Sequence, residues 1–194
     1  MLVDLRRGVI ALAVFTLLVG IAYPLLVLGV GQVAFRGAAD GSLARSGGRV
    51  VGSALIGQSF GDDPKWFWGR PSAAGTDGYD PTASGASNLG PTSAKLNELV
   101  HGRLTAILKA DPGTTPAEVP SELVTASASG LDPDLSPAAA RFQVNRVARA
   151  RGLDPAAVRK LVDQQVQGRT LGLFGEPTVN VLKLNLALDQ LRTR

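Results

Sequence analysis

The chain of 194 residues has no cysteine and only one histidine, His101. Protein zinc sites are usually built from cysteine and histidine side chains, and a Ser/His triad requires a histidine beside the serine. The composition therefore excludes a zinc site of this kind and leaves His101 as the one histidine that a triad could use. Because His101 lies on the polar side of an amphipathic helix, an exposed surface residue is the simpler interpretation.

Motifs for nucleotide binding and nucleophilic catalysis are also lacking. No segment matches the phosphate loop G-x-x-x-x-G-K-[ST], and "TASASG" and "SGASNLG" do not match the G-x-S-x-G elbow. The segment "GVGQVA" resembles a dinucleotide fingerprint, but it ends an apolar run instead of following a strand. Gln58 in "LIGQSF" is the one cofactor contact we retain as a candidate, although a turn role explains it more simply. We predict no catalytic residue, no metal site and no cofactor bound by this chain itself.

Aromatic residues make up only 5% of the chain and do not alternate with basic clusters, as they do in many nucleic-acid-binding modules. The formal net charge of +4 comes mostly from arginines in "RFQVNRVARAR". On a helix, such residues more simply form a solvated face or contact anionic lipid or protein. We therefore predict no nucleic-acid partner.

The longest run without a charged side chain extends from Gly8 to Phe35. A helix needs only about 20 apolar residues to cross the hydrocarbon core, whereas signal peptides and buried core helices have shorter runs. The run therefore predicts one uncleaved transmembrane anchor over residues 8–35. Basic residues flank both of its ends: Arg6, Arg7, Arg36, Arg45 and Arg49. They nearly balance, so the positive-inside rule only slightly favours a cytoplasmic segment 1–7 and an extracytoplasmic domain 36–194.

The anchor has no ionisable side chain and so offers no ion site or proton relay of its own. Tyr23 and Pro24 lie near its middle, where a hydroxyl and a proline kink are tolerated more easily against neighbouring helices than in lipid. We therefore predict that Tyr23 and Pro24 face a partner with membrane helices.

The remainder of the chain predicts an α+β domain with about four helices and a small sheet. "RVVGSALIGQSF" has strand composition broken by glycines, and apolar residues recur at helical spacing from Leu96 to Leu108. Two further predicted helices have the same start and stop signals. Each starts at a Ser-Pro or Asp-Pro pair and ends at a glycine, Gly152 or Gly168. "SELVTASASGLD" could supply a short strand and turn, and "TVNV" before the last helix could be helix or strand.

Two segments are candidates for a partner interface. "WFWGRPSA" concentrates Trp66, Phe67 and Trp68 beside Arg70, and aromatic and arginine residues are enriched at interface hot spots. A place in the core is the alternative for these aromatics. Ser87 and Asn88 lie in the glycine-rich loop that follows, whose turn residues and position before a helix favour a defined shape over a flexible spacer.

Five blocks in this order behind one N-terminal span resemble the C subunit of the Kdp potassium-transporting ATPase, over about residues 10–189. They are "LIGQSF", "WFWGRPSA", "SGASNLGPTSAKL", "VPSELVTASASGLDPDLSPAAARFQVNRVARARGL" and "GEPTVNVLKLNLALD". Each block alone is weak, but five in register are specific.

The resemblance implies a small non-catalytic accessory subunit in the cytoplasmic membrane, with its bulk outside. Its partners would be a channel-like potassium-binding subunit and a P-type ATPase subunit, so ATP and potassium ion belong to the complex. The family is described as assisting assembly and as a catalytic chaperone that raises the ATP affinity of the ATPase subunit. Since an exported domain cannot touch cytoplasmic ATP, assembly and extracytoplasmic gating or stabilisation are physically simpler. A membrane-anchored exported ligand-binding or hydrolytic domain is the alternative.

Overall fold

The computed structural model describes residues 2–191, which form two compact units divided between Leu43 and Ala44. The first unit is almost entirely one long helix. It comprises α1 (Leu2–Phe15), a π-helical segment (Thr16–Ala22) and α2 (Tyr23–Ala34), followed by the short α3 (Arg36–Ala39). Among the described residues, Leu2–Ala34 is the one helix that is long and apolar enough to cross a membrane.

Pro24 explains why the first helix changes its hydrogen bonding. Proline has no N–H, and its ring clashes with the carbonyl four residues earlier, so the backbone before it must adjust. The adjustment is the π-helical segment, and the N–H of Tyr23 donates to the carbonyl of Leu18, five residues back. The proline therefore widens one stretch of the helix but does not end it.

From Leu43 to Leu191 the structure contains a hairpin, a small sheet and five further α-helices. The hairpin strands β1 (Leu43–Ser46) and β2 (Arg49–Ser53) are joined by Gly47 and Gly48. Both glycines have positive φ, as the tightest hairpin turns require. The three-stranded antiparallel sheet has the order β3 (Asp134–Leu135), β5 (Thr178–Asn180), β4 (Val166–Gln167).

Three helices begin at the residues that their capping sequences predict: α4 (Ala94–Ala110), α5 (Pro137–Phe142) and α7 (Pro155–Gln164). The other two are α6 (Val144–Arg151) and α8 (Val181–Leu191). The side chains of Ser93, Ser136 and Asp154 accept hydrogen bonds from the first turns of α4, α5 and α7. Gly152 is left-handed after α6, as a helix stop should be.

Four expectations need correction or a decision. The predicted arginine-rich helix is broken at Gln143 into α5 and α6. The next helix ends at Gln164 instead of at Gly168, because the chain then pairs with β5 as strand β4. "SELV" forms a 3₁₀ turn over Ser121–Leu123 and not a strand, and "TVNV" begins as strand β5.

The core of the second unit lies among α5, α6, α7, α8 and the three-stranded sheet. Its largest fully buried apolar side chains are Phe67, Leu135, Val144, Val147, Val158, Val162, Val179, Leu184 and Leu188. Each valine or leucine buried in this way stabilises the fold by about 1.5–3 kcal/mol relative to exposure. Phe67 differs from the others because it lies on no helix or strand. It enters this core from an irregular segment between β2 and α4.

Candidate partner-binding site

Residues 66–70, which we call the aromatic strap, are held against the helices through their backbone. The amide of buried Asn185 accepts a hydrogen bond from the N–H of Phe67 and donates one to its carbonyl, both at 2.9 Å. Gln143 does the same for Trp68, at 2.8 and 3.0 Å. These two side chains pair with the backbone N–H and carbonyl groups of the strap as a neighbouring β-strand would.

Two arginines stack on the two tryptophans of the strap. The guanidinium carbon of Arg146 lies 3.7 Å from the centre of the Trp68 ring, and that of Arg151 lies 4.3 Å from the Trp66 ring. Arg146 also donates to the carbonyls of Pro64 and Trp66 at 2.8 and 3.0 Å. Burial lowers the pKa of Arg146 to about 10, which leaves it charged at neutral pH. Cation–π contacts and charge-assisted hydrogen bonds thus fix both rings.

These contacts divide the predicted interface residues. Phe67 is fully buried in the core, so the core alternative holds for it and its side chain is not on the surface. Trp66 and Trp68 are half-buried. Arg70 is also half-buried and forms an ion pair with Asp132 at 3.1 Å, while its Nε is buried without a hydrogen-bond partner among the described residues.

Hydrogen bonds give the loop after the strap a defined shape. The Ser72 hydroxyl accepts from the N–H of Tyr79 at 2.7 Å and donates to the carbonyl of Gly130 at 2.6 Å. The Tyr79 hydroxyl donates to the carbonyl of Arg70 at 2.7 Å. Ser87 and Asn88 lie exposed further along this loop, and Asn88 has a left-handed backbone with φ of 50°.

An open groove of about 390 Å³ lies between the strap and α4. Its lining includes Phe60, Trp68, Tyr79, Arg103, Ala106 and Ile107. Arg103 donates to the carbonyl of Val124 at 2.9 Å. Burial lowers the pKa of Arg103 and raises the pKa of Tyr79 from their usual values, because the groove removes part of their water. The groove thus combines aromatic surface with a partly desolvated cation, which suits a carboxylate or carbonyl beside apolar atoms.

The other predicted residues lie apart from this groove. Gln58 is half-buried and borders a cavity of about 10 Å³, which is room for about one water molecule and too small for a nucleotide. Tyr23 and Pro24 lie in the first unit, on the apolar helix, and are exposed. His101 is exposed on α4, as expected. Within residues 2–191 no group of three His, Cys, Asp or Glu side chains is placed to hold a metal ion.

Sequence reasoning missed the residues that hold the strap. Arg146 and Asn185 are buried on helices, and Gln143 is buried between α5 and α6. In the sequence all three look like ordinary members of polar helix faces. One sign of their burial is that Gln143 and Arg146 share a helix face with Val144 and Val147. This sign is clear only once the structure shows that both valines are buried. Arg103 was missed because, between Val100 and Leu104, it looks like an ordinary charged residue of an amphipathic helix.

Comparison with known proteins covers nearly the whole chain. The model of the family "KdpC: K+-transporting ATPase, c chain" matches residues 5–190. A potassium-transporting ATPase KdpC subunit from Sorangium cellulosum is 57% identical over 99% of this chain and 100% of its own length. The corresponding proteins of Polaromonas naphthalenivorans and Methylococcus capsulatus are 55% and 52% identical, over 97% and 96% of this chain and 95% and 97% of theirs. The chain therefore belongs to the KdpC family, the c chains of K⁺-transporting ATPases.

Proposed function

We propose that the protein is a non-catalytic accessory subunit of an ATP-driven potassium uptake complex. Its apolar helix is anchored in the cytoplasmic membrane with the N-terminus in the cytoplasm, and residues 36–194 lie outside. Its partners are a channel-like potassium-binding subunit and a P-type ATPase subunit, and ATP and potassium are bound by the complex. The names of its relatives, which are subunits of potassium-transporting ATPases, support this assignment.

The groove is the observation on which the proposed partner contact depends. Trp68, Tyr79 and Arg103 line one open cavity, and tryptophan, tyrosine and arginine are the residues most enriched at interface hot spots. Hydrogen bonds and stacking hold Trp68 in place before any partner binds, so little conformational entropy is lost on association. We infer that a segment of the channel-like subunit inserts into this groove.

An effect on the ATP affinity of the ATPase subunit is compatible with this role only through the assembled complex. A domain outside the membrane is separated from cytoplasmic ATP by the bilayer, so it acts by favouring one conformation of the complex. Stabilising the assembly and raising ATP affinity are then two results of the same contact.

Ala106 offers a test of the groove that leaves the core intact. Ala106 is exposed on α4 and lines the groove, so Ala106→Arg fills the cavity without replacing a buried side chain. In a strain expressing all subunits, we expect the tagged Ala106→Arg chain to recover about tenfold less of both partners in mild detergent, as loss of a hot-spot contact would cause.

Thr105→Arg is the matched control. Thr105 precedes Ala106 and is exposed, and its hydroxyl bonds only the carbonyl of His101 in its own helix. It adds the same side chain and charge outside the groove, and it should co-purify as the wild type does. If both variants recover as much of the partners as the wild type does, the contact lies outside the groove. If both recover equally less than the wild type, the added charge causes the loss.

A further inference from the structure

The loop between β4 and β5 carries an exposed apolar tip, residues 170–174. Leu171, Leu173 and Phe174 are 85%, 74% and 64% exposed. Single exposed apolar residues are ordinary on a protein surface, but three large ones within four positions form a patch of the kind that marks a protein or membrane contact.

Four of the five backbone N–H groups of the tip form hydrogen bonds within the loop. Thr170 and Phe174 exchange N–H to carbonyl bonds at 2.9 and 3.0 Å, and the N–H of Leu173 donates to Thr170 at 3.1 Å. The N–H of Gly172 donates to the carbonyl of Arg169 at 3.0 Å. Each N–H group that is bonded within the loop lowers the cost of moving the tip from water to the membrane interface.

The charges at the base of the tip neutralise one another. No charged side chain occurs from Thr170 to Gly175, and Arg169 donates to both carboxylate oxygens of Glu176 at 2.8 Å. Entry of the tip into an apolar phase therefore removes no unpaired charge from water.

We propose that the apolar tip inserts into the headgroup and acyl boundary of the bilayer in which the chain's own helix is anchored. Leucine is under-represented at protein hot spots, and the tip has no tryptophan, tyrosine or arginine, whereas leucine and phenylalanine are typical of surfaces that enter the membrane interface. The same chain supplies a helix suited to span the membrane, which keeps the second unit tethered near lipid. The proposal requires the membrane anchor and does not depend on the accessory role.

The absence of cysteine makes the test specific, because Leu173→Cys introduces the one thiol of the chain. The full chain is labelled there with a nitrobenzoxadiazole fluorophore and reconstituted into phosphatidylcholine vesicles with or without bromine on the acyl chains. We expect bromine to lower the fluorescence about twofold or more, since an inserted tip lies at the depth of the upper acyl chain. Asn97→Cys, at an exposed polar position of α4, is the matched control and should change by less than about a tenth.

A second variant separates insertion from chance proximity. Leu171→Asn and Phe174→Ser, added to Leu173→Cys, remove the apolar flanks. Leu171 has φ of 54°, a conformation that asparagine accepts, so the turn should persist. Quenching should then fall to the level of the Asn97→Cys control. Equal quenching at positions 173 and 97, or quenching that survives the polar substitutions, would contradict the proposal. If the fluorophore at position 173 becomes shielded from water only when the other transporter subunits are added, the tip contacts a protein partner instead of lipid.

Discussion

Gly130 joins two loop segments at a distance that leaves no room for a side chain. A Cβ there would lie 2.7 Å from the Cβ of Ala74 and 2.8 Å from the carbonyl oxygen of Gly85. Gly130 also has φ of 67°. It therefore combines a left-handed backbone with a close approach, and each requires glycine for a different reason.

Gly61 separates these two effects. Its φ of 63° nearly equals that of Gly130, but a Cβ at Gly61 would meet no atom within 4 Å. We expect Gly61→Ala to lower the free energy of unfolding by about 1–2 kcal/mol through backbone strain alone. Gly130→Ala should cost about 1–3 kcal/mol more, because the neighbouring loops must move apart.

Tryptophan fluorescence during thermal unfolding measures both variants. Both tryptophans of the chain lie in the second unit, so the signal reports that unit in the full chain in mild detergent. Melting temperatures that fall by the same amount for Gly61→Ala and Gly130→Ala would show that the close approach at Gly130 contributes nothing.

Helix starts could be predicted from the sequence because capping is local. Ser93, Ser136 and Asp154 each lie within three residues of the N–H groups they accept from. The break at Gln143 could not be predicted, because its side chain bonds the backbone of Trp68, 75 residues away. The loss of Gly168 as a stop has a similar cause, since pairing with Val179 takes Val166 out of the helix.

The same distinction explains what the sequence revealed of the candidate site. It located the aromatic strap by composition, but it could not show that α6 and α8 hold the strap from the opposite end of the chain. Phe67 became a core residue for that reason, while Trp68 kept one side toward the groove.

Helix α6 fixes the strap mainly through Arg146. A lysine there would keep a positive charge but lose the planar stacking on Trp68 and the fork that reaches the carbonyls of Pro64 and Trp66. We expect Arg146→Lys to lower the free energy of unfolding by about 1–3 kcal/mol, since part-buried carbonyls lose their charge-assisted donors.

Arg159→Lys on α7 is the control for this change. Arg159 is exposed and forms no ion pair in the described part of the chain, so its replacement should alter stability by less than about 0.5 kcal/mol. Thermal unfolding followed by tryptophan fluorescence distinguishes the two. If Arg146→Lys melts as Arg159→Lys does, the stacking and the carbonyl contacts do not hold the strap.

At the scale of the whole molecule, the two units divide the work. The first unit holds a helix long and apolar enough to cross a membrane, and the second unit presents a surface that includes the groove and the exposed Ser87 and Asn88. Trp66, Trp68 and Arg70 are engaged in contacts within the unit, so replacing them tests folding together with binding. Surface changes such as Ala106→Arg therefore address the partner contact more cleanly.

We propose that the chain is an accessory subunit of a potassium-transporting ATPase. Extracting the tagged full-length chain from native membranes in mild detergent, and identifying the proteins that purify with it, tests this role. A polytopic channel-like subunit and a P-type ATPase, recovered in a constant ratio to the tagged chain, are the predicted result. Recovery of the chain without these two proteins, from membranes in which both are expressed, would contradict the claim.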